Sequence, residues 1–464
     1  MIENTKKKPR LIISAANSGT GKTTITIALM DALRKKGITV QPYKVGPDYI
    51  DPKFHEAVTG RSSVNLDGWL LEESNNKYLF NKNNKDADIS IIEGVMGLYD
   101  GYDKEPMIGS TAQISKMLKT PIILVMNAKG MSTSAAAVVY GMKNFGDVLI
   151  KGIIINCPAS IRHYEILKET IEKHTNVQVL GYLPRLDEVQ FESRHLGLIQ
   201  SEEIKNLNNK IDKLSSVFLE TVDINKLIEI ANDVEALNSE TIKDINDTYN
   251  VDIAVARDKA FSFHYRENIE ILKELGAKIH YFSPIKDESL PSKCDGIYLV
   301  GGYPEVFAKE LSDNYSLMKQ IKEKADEGLP IYAECGGYMY LHETITTLTN
   351  ETYKMAGVFS GGAYMKKRLQ NFGYATIKAD KDSLLFNKGD IVKIHEFHRS
   401  VVDREDEQPH VVVSKKEKKW YCGKAYKNVY GMYPHIYFPT DISIPRKFIK
   451  KIYLNKYKNN GEAN

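Results

Sequence analysis

The feature that most constrains the fold of this 464-residue chain is an alternation of short apolar runs with longer amphipathic stretches. A first set of these runs, each of four or five residues, spans 11–14, 89–92, 122–126 and 152–156. A second set spans 251–255, 278–281, 296–300 and 329–333. Short β-branched runs without polar alternation are typical of parallel strands covered by helices on both faces. The sequence therefore predicts an α/β fold with two doubly wound parallel-sheet domains.

The length, at roughly 150 residues per domain, allows two large domains or about three smaller ones. Between the two sets of strands the chain becomes polar, with apolar residues at helical spacing at Ile204, Leu207, Ile211, Leu214 and Phe218. We predict a first domain at 1–200, a helical connector at 201–250, a second domain at 251–445 and a C-terminal tail at 446–464.

Charge and cysteine content exclude several classes of protein. Lys and Arg number 63 and Asp and Glu 60, so the net charge of +3 argues against an electrostatic nucleic-acid binder. The four cysteines form no C-x-x-C pair, which argues against a zinc cluster or a disulfide framework and favours a reducing cytoplasm. No apolar stretch approaches the roughly 20 residues that span a bilayer. We expect a cytoplasmic protein with neither a nucleic-acid nor a membrane partner.

The first apolar run leads directly into a glycine-bearing turn and then into a helical pattern at 25–35. A strand, a turn and Gly-Lys-Thr at the start of a helix hold phosphate oxygens on backbone N–H groups. Lys22 would reach the β- and γ-phosphates and the Thr23 hydroxyl would bind Mg²⁺. Ala16 replaces the first glycine of the full motif. The predicted phosphate-binding residues are Gly19, Thr20, Gly21, Lys22, Thr23 and Thr24.

A P-loop needs a second acidic group for its metal, usually at the end of another buried strand. Glu93 follows the apolar run 89–92 and precedes the glycine-rich loop 94–101, so we interpret it as a metal ligand rather than a solvated side chain. Asp100, in that loop, is a second candidate. The segment 43–52 has the composition of a turn after a strand.

Seven segments together resemble one family, the cobyrinate a,c-diamide synthase (CbiA/CobB) family of corrin-ring amidases. In chain order they are GPDYIDP at 46–52, followed by Phe54 and His55, NLD at 65–67, EGVMGLYDG at 93–101, ARDKAF at 256–261, GGYPE at 301–305, AECGG at 333–337 and HEFH at 395–398. They cover nearly the whole chain. The resemblance implies a P-loop NTPase-like ATP domain, similar to dethiobiotin synthetase, followed by a class I glutamine amidotransferase domain of flavodoxin-like fold.

Cys335 is the predicted nucleophile of the second domain. It stands between the strand 329–333 and an apolar segment, in the sharp turn Glu334-Cys335-Gly336-Gly337. Such a turn exposes a thiol near backbone N–H groups that favour the thiolate and stabilise an oxyanion. Gly302 and Gly336 are the predicted oxyanion-hole residues. The other cysteines, Cys157, Cys294 and Cys422, are interpreted as small buried hydrophobes.

His435 is the predicted base, because it stands where class I amidotransferases carry their catalytic histidine, 100 residues after Cys335. Many relatives continue with Pro and Glu, and that Glu completes a triad. Here Ile436 and Tyr437 follow, so the group that orients the imidazole is left open. His395 and His398 are rival bases, with a substrate-proximal, interface or structural role equally open.

The resemblance implies ATP- and glutamine-dependent amidation of the a and c acetate carboxylates of cobyrinate, through acyl phosphates, in cobalamin biosynthesis. It implies Mg²⁺ at Thr23, Asp48 and Glu93, and substrate or ammonia near Lys44, Asp48 and Asp100. The expected partners are a tetrapyrrole-derived substrate, L-glutamine and ATP, with a homodimer left open.

Two other functions are compatible with some of the same motifs. A Ni-sirohydrochlorin a,c-diamide synthase, which serves the nickel tetrapyrrole coenzyme of methanogenesis, would carry the same loops. A ParA/MinD-like regulatory ATPase would share the nucleotide loop but would lack the Cys-Gly-Gly domain.

Overall fold

The structure is a computed structural model that describes residues 7–102, 107–189, 193–194, 197–198, 204, 206–238, 247–403 and 410–459. The chain forms two compact units, residues 1–242 and 243–464. The predicted boundary at residues 200 and 201 lies outside the described residues.

The first unit is built on one seven-stranded sheet in which all strands run parallel, in the order β3-β2-β4-β1-β5-β6-β7. Its strands are β1 Arg10–Ala15, β2 Val40–Val45, β3 Val64–Leu66, β4 Ile89–Glu93, β5 Ile122–Asn127, β6 Ile150–Asn156 and β7 Gln178–Leu183. Two short strands follow, β8 Ser193–Arg194 and β9 Gly197–Leu198. The central strands β1 and β4 are buried along their whole length, which is why they carry no polar alternation.

Helices connect and cover these strands. They are α1 Lys22–Lys35, α2 Asp51–Thr59, α3 Glu73–Asn83, α4 Thr111–Met117, α5 Ser134–Phe145, α6 Ile161–Thr175, α7 Leu207–Thr221 and α8 Ile224–Asn232. The helices α7 and α8 lie in the segment predicted as a connector. The helix α7 packs on α1, where the Ser215 hydroxyl donates to the buried Asp31 carboxylate at 2.5 Å, so it belongs to the first compact unit.

The second unit contains a six-stranded sheet in the order β12-β10-β13-β15-β25-β24, parallel except for its edge strand β24. These strands are β10 Val251–Ala256, β12 Ala277–Phe282, β13 Gly296–Leu299, β15 Ile331–Glu334, β24 Lys424–Tyr426 and β25 Val429–Met432. A small pair, β11 Phe261–Phe263 and β14 Gly301–Gly302, lies beside them. The helices of this unit are α9 Arg266–Glu274, α10 Ala308–Asp313, α11 Tyr315–Asp326, α12 Gly336–Tyr340 and α13 Ser443–Asn459.

Two four-stranded sheets, mostly antiparallel, are inserted between α12 and β24 and add to the predicted architecture. One contains β16 His342–Thr346, β17 Thr352–Lys354, β18 Phe359–Met365 and β21 Ser400–Val402. The other contains β19 Asn371–Ala379, β20 Ile391–His398, β22 Val411–Lys415 and β23 Lys418–Cys422. The strand β20 alternates exposed and buried residues over its first half, 391–394, as expected of a strand with one solvent-exposed face, and is mostly buried over 394–398.

The predicted tail at 446–464 contains most of α13. Phe448, Ile449 and Ile452 of this helix are fully buried in the core of the second unit, so the described part of the segment is structural. Residues 460–464 lie outside the described residues. None of the helices in the described ranges is both long enough and apolar enough to cross a bilayer.

Candidate active sites

The first site lies at the carboxyl ends of β1, β2 and β4. Glu93, the last residue of β4, is in register with Ile13 of β1 on one side and with Lys44 of β2 on the other. Because the three strands are parallel, the loops that leave them start from the same edge of the sheet. The phosphate loop, the segment after Lys44 and the loop after Glu93 therefore meet there, although they are far apart in sequence.

The phosphate loop has the strand, turn and helix arrangement that its sequence predicted. Gly21 has a φ of +98°, and a Cβ at this position would lie 2.2 Å from the side-chain nitrogen of Asn156, so only glycine fits. Asn156, the last residue of β6, donates to the carbonyl oxygen of Thr20 at 2.9 Å and supports the loop from below. Lys22 donates to the carbonyl oxygen of Asn17 at 3.2 Å, within the loop. Burial and the neighbouring Lys44 charge lower the pKa of Lys22 to about 8.

Two carboxylates meet the threonine hydroxyl at the start of α1. Thr23 Oγ1 donates to Glu93 Oε1 at 2.6 Å and lies 3.3 Å from Asp51 Oδ2. The buried ammonium of Lys44 bridges the same two carboxylates, at 2.5 Å from Asp51 and 3.0 Å from Glu93. Burial alone would lower the pKa of Lys44, but Asp51 and Glu93 raise it above its usual range. The sequence predicted Lys44 near substrate, whereas its contacts are with these carboxylates.

His55 on α2 binds the other oxygen of Glu93. Its Nε2 lies 2.6 Å from Glu93 Oε2, its Nδ1 lies 3.0 Å from the Ser63 hydroxyl, and the side chain is fully buried. Burial would raise the pKa of Glu93, but the Lys44 charge and the His55 hydrogen bond lower it well below its usual value. Glu93 is therefore held as a carboxylate, fixed in orientation from both sides.

The donor set of this cluster fits Mg²⁺. A hydroxyl, Thr23, and two carboxylates, Asp51 and Glu93, are hard oxygen ligands, and Mg²⁺ usually takes few protein ligands and completes its shell with waters and phosphate oxygens. The described residues contain no cluster of three or more His, Cys, Asp or Glu side chains that could hold a metal ion. Asp51 lies beside two of the predicted ligands, Thr23 and Glu93, whereas the third, Asp48, lies 3.6 Å from Lys44 Nζ at the edge of the cluster.

Asp48 and Asp100 lie at the edge of this cluster. Asp48 Oδ1 accepts the backbone N–H groups of Ile50 and Asp51, at 2.8 and 3.1 Å, and its Oδ2 lies 3.6 Å from Lys44 Nζ. Asp100 is exposed, and its Oδ2 accepts the Gly97 N–H at 2.9 Å. Both carboxylates thus stabilise loops and keep part of their surface accessible.

The second site lies at the carboxyl ends of β15 and β25 in the second unit. Cys335 follows β15 with a φ of +45° and a ψ of −104°, a conformation that L-residues rarely adopt. Its N–H donates to the Met432 carbonyl oxygen at 2.9 Å, which ties the turn to the end of β25. The predicted nucleophile therefore sits on a strained strand-to-helix turn, as its sequence context indicated.

His435 lies just beyond β25 and next to Cys335. Its Nδ1 lies 3.3 Å from Oε2 of Glu334, the residue immediately before Cys335, and all three residues are buried. Burial would lower the pKa of His435, but the hydrogen bonds and charges of Cys335 and Glu334 raise it to about 10. The imidazole is therefore set up to carry a proton beside the Cys335 sulfur.

Two glycines close the space beside the thiol. A Cβ on Gly336 would lie 2.8 Å from the amide nitrogen of Gly302, and a Cβ on Gly302 would lie 1.9 Å from the Ala260 carbonyl oxygen. Only glycine permits this approach of the turn after Cys335 to β14. The predicted oxyanion-hole residues are therefore neighbours in the fold.

The two rival histidines lie on β20 beside this site. The backbones of His395 and His435 exchange hydrogen bonds of 3.3 and 2.8 Å, and burial together with the His435 charge lowers the pKa of His395 to about 3. His398 stacks on Tyr433 at 3.8 Å between ring centroids, and its two nitrogens bind Glu396 Oε1 and the Ser400 carbonyl oxygen, each at 2.7 Å. These contacts fit positioning of the His435 loop by both histidines.

Sequence reasoning missed four residues that the fold adds to these sites: Asp51, His55, Asn156 and Glu334. Asp51 and His55 lie in or next to the quoted segment 46–52, and Glu334 lies beside Cys335, so their residue types were visible. Their partners lie far away in the sequence, and only the fold brings each pair together.

Comparisons with known proteins match a separate family model to each of the two compact units. Residues 11–199 match the CobQ/CobB/MinD/ParA nucleotide binding domain, and residues 252–441 match the CobB/CobQ-like glutamine amidotransferase domain. The cobyrinate a,c-diamide synthase of Caldanaerobacter subterraneus subsp. tengcongensis is 43% identical over 95% of this chain and 97% of its own length. The enzymes of the same name from Listeria innocua and Clostridium acetobutylicum are 43% and 44% identical, over 92% and 95% of this chain and 96% and 99% of their own lengths.

We predict that His55→Leu weakens ATP binding about 10- to 100-fold when Mg²⁺ is present, because Glu93 loses the hydrogen bond that orients it. Binding without Mg²⁺ should change little. Titration calorimetry with and without the metal measures both. His163→Leu is the matched control, since His163 binds the Met131 carbonyl oxygen at 2.7 Å and has no contact with Glu93. An equal loss with and without Mg²⁺ would contradict the assignment.

Proposed function

The chain belongs to the cobyrinate a,c-diamide synthase family, glutamine-dependent ligases that form C–N bonds, and from this premise we propose that it amidates the a and c acetate carboxylates of cobyrinate. Each amidation consumes one ATP and one glutamine and passes through an acyl phosphate. The observation that carries the proposal is the presence on one chain of two sites, a P-loop with two carboxylates and a strained cysteine beside a buried histidine.

The second unit supplies ammonia. The Cys335 thiolate attacks the side-chain amide carbon of glutamine, and the new oxyanion lies toward the backbone at Gly302 and Gly336. His435 donates its proton to the departing nitrogen, the C–N bond breaks, and a glutamyl thioester remains as NH₃ leaves. A water molecule then loses a proton to His435 and attacks the thioester, which releases glutamate and restores the thiolate.

The first unit activates the carboxylate. The phosphate loop holds ATP, and the Lys22 ammonium neutralises charge on the β- and γ-phosphates. Thr23, Asp51 and Glu93 are the residues that would hold Mg²⁺, and the bound metal would supply further charge neutralisation at those phosphates. A substrate carboxylate oxygen takes the γ-phosphoryl group and ADP leaves. Ammonia then attacks the acyl carbon, and phosphate departs as the amide forms.

Asp48 and Asp100 are proposed to face the acceptor carboxylate or the incoming ammonia. Their carboxylates are the partly accessible ones of the cluster, with the Asp48 side chain 28% exposed against none for Glu93. A carboxylate there can hold an ammonium ion and accept its proton before attack. Lys44, buried between Asp51 and Glu93, instead holds those two carboxylates in place.

The first test is of the substrate. The protein is incubated with ATP, Mg²⁺, glutamine and either cobyrinate or Ni-sirohydrochlorin, and products are followed by mass spectrometry. We expect two successive losses of about one mass unit each on cobyrinate, because each replaces OH by NH₂. Completion on Ni-sirohydrochlorin alone would move the assignment to that macrocycle. ATP hydrolysis without amidation of either compound would favour the regulatory ATPase.

Lys22→Ala should abolish amidation while glutaminase activity stays measurable, because the change removes a charge at the phosphates and leaves the second unit intact. Amidation and glutamate release are measured on the same preparation. The exposed Lys36, at the end of the same helix, provides the control Lys36→Ala, which should retain both activities. Loss of glutaminase in folded Lys22→Ala would contradict the division of labour between the units.

Cys335→Ala should lower glutamine-dependent amidation by several orders of magnitude, because it removes the sulfur that forms the thioester. Free ammonia at mildly alkaline pH should restore diamide formation, since the ATP site is unchanged. Cys294→Ala is the matched control, because burial raises the pKa of the Cys294 thiol to about 12. If Cys294→Ala abolishes glutamine use and Cys335→Ala does not, the nucleophile has been misassigned.

A further inference from the structure

The structure assigns to Glu334 the role of the acidic residue that positions His435, an inference that rests on the proposed role of Cys335 and His435 in glutamine hydrolysis. No carboxylate follows His435 in sequence, since the next residues are Ile436, Tyr437 and Phe438. Glu334 supplies one from a different strand. The residue that precedes the nucleophile thus completes a Cys-His-Glu triad.

The carboxylate of Glu334 is fixed on both of its oxygens. Oε2 lies 3.3 Å from His435 Nδ1, while Oε1 accepts the Tyr332 hydroxyl and lies 3.5 Å from the Ile436 N–H. The Glu334 and His435 side chains are only 1% and 2% exposed. Burial and the Glu334 charge raise the pKa of Tyr332. Its phenol therefore stays protonated and donates a hydrogen bond to Glu334. A buried carboxylate held this way costs free energy unless it is paired, and His435 is the pairing cation.

The strained backbone at Cys335 is what brings two successive side chains to one imidazole. In a regular strand the side chains of Glu334 and Cys335 would point to opposite faces of the sheet. The positive φ of Cys335 breaks that alternation just after β15, and both side chains interact with His435. The neighbouring strand β25 is parallel to β15, with Met432 in register with Glu334, so His435 emerges at the same edge.

A carboxylate at Nδ1 has a defined effect on this chemistry. It keeps a proton on Nδ1, which leaves Nε2 to take the thiol proton and later to deliver it to the departing nitrogen. It also stabilises the imidazolium that forms. The titratable groups that face the His435 ring or backbone in the described residues include Glu334 from β15, Cys335 from its turn and His395 from β20. Burial and the His435 charge keep His395 neutral, so the positive charge of the imidazolium is supported by Cys335 and by the Glu334 carboxylate.

The test compares Glu334→Gln, Glu334→Asp and a matched control in the full-length protein. The control is Asp252→Asn, because Asp252 forms a carboxylate–imidazole pair with His280 at 2.6 Å near the start of β10, at the opposite end of the parallel strands from Cys335. The readouts are the pH dependence of glutaminase kcat/KM and the ammonia-dependent amidation. Circular dichroism melting checks that each variant is folded.

We expect Glu334→Gln to lower glutaminase kcat/KM about 10- to 1,000-fold. The alkaline fall in activity should also move to lower pH by at least about one unit, because the imidazolium loses its counter-charge. Glu334→Asp should lose rate but keep the alkaline limb of the native protein, since the carboxylate remains. Asp252→Asn should change neither. If Glu334 had a purely structural role, its substitution would lower the folded fraction without moving the alkaline fall in glutaminase activity.

The inference is overturned if folded Glu334→Gln keeps the native pH profile. If Glu334→Gln does not fold, the inference is overturned when the alkaline fall of glutaminase kcat/KM moves to lower pH in Glu334→Asp. Ammonia-dependent amidation separates this outcome from failure of the proposed function. A protein that hydrolyses glutamine with the expected pH shift but amidates neither macrocycle would keep the triad and lose the proposed substrate.

Discussion

Parallel pairing of buried strands is the constraint on which both sites depend. In the first unit β1, β2 and β4 are adjacent and parallel, so the loops that follow Ala15, Val45 and Glu93 emerge together. In the second unit β13, β15 and β25 do the same for Gly301, Cys335 and His435. Residues separated by tens or hundreds of positions become neighbours because a parallel sheet gathers its carboxyl ends at one edge. The chemistry of the chain is therefore a consequence of strand order.

The buried charge of Glu93 requires compensating partners in the first site. Glu93 is fully buried, and an isolated carboxylate in such a place would become protonated. Lys44 and His55 prevent this, one by charge and one by a hydrogen bond, and Thr23 adds a third contact. Removing one partner from such a network costs more than an exposed ion pair contributes, because the remaining charges stay buried.

Residue types and local context were sufficient for the framework and for the first member of each site. The apolar runs predicted the parallel strands, Gly-Lys-Thr predicted the phosphate loop, and Cys-Gly-Gly predicted the nucleophile turn. The inserted antiparallel strands 342–422 were not predicted, because their alternation was not separated from the surrounding α/β pattern. The roles of Asn156 and Glu334 could not be predicted, since each contacts a residue in a loop that is distant in sequence, Thr20 and His435 respectively.

Both sites contain a buried carboxylate that contacts an imidazole. The other groups that contact each pair determine whether the imidazole orients the carboxylate or the carboxylate orients the imidazole. In Glu93–His55 the free side of the carboxylate meets Thr23 and Lys44, and the imidazole is backed by the Ser63 hydroxyl. There the histidine orients the carboxylate that we propose as a metal ligand. In Glu334–His435 the carboxylate is backed by Tyr332 and the imidazole meets a thiol. There the carboxylate orients a base. The same pair is therefore proposed to supply a metal ligand in one unit and a proton carrier in the other, because different elements of the fold contact its open side.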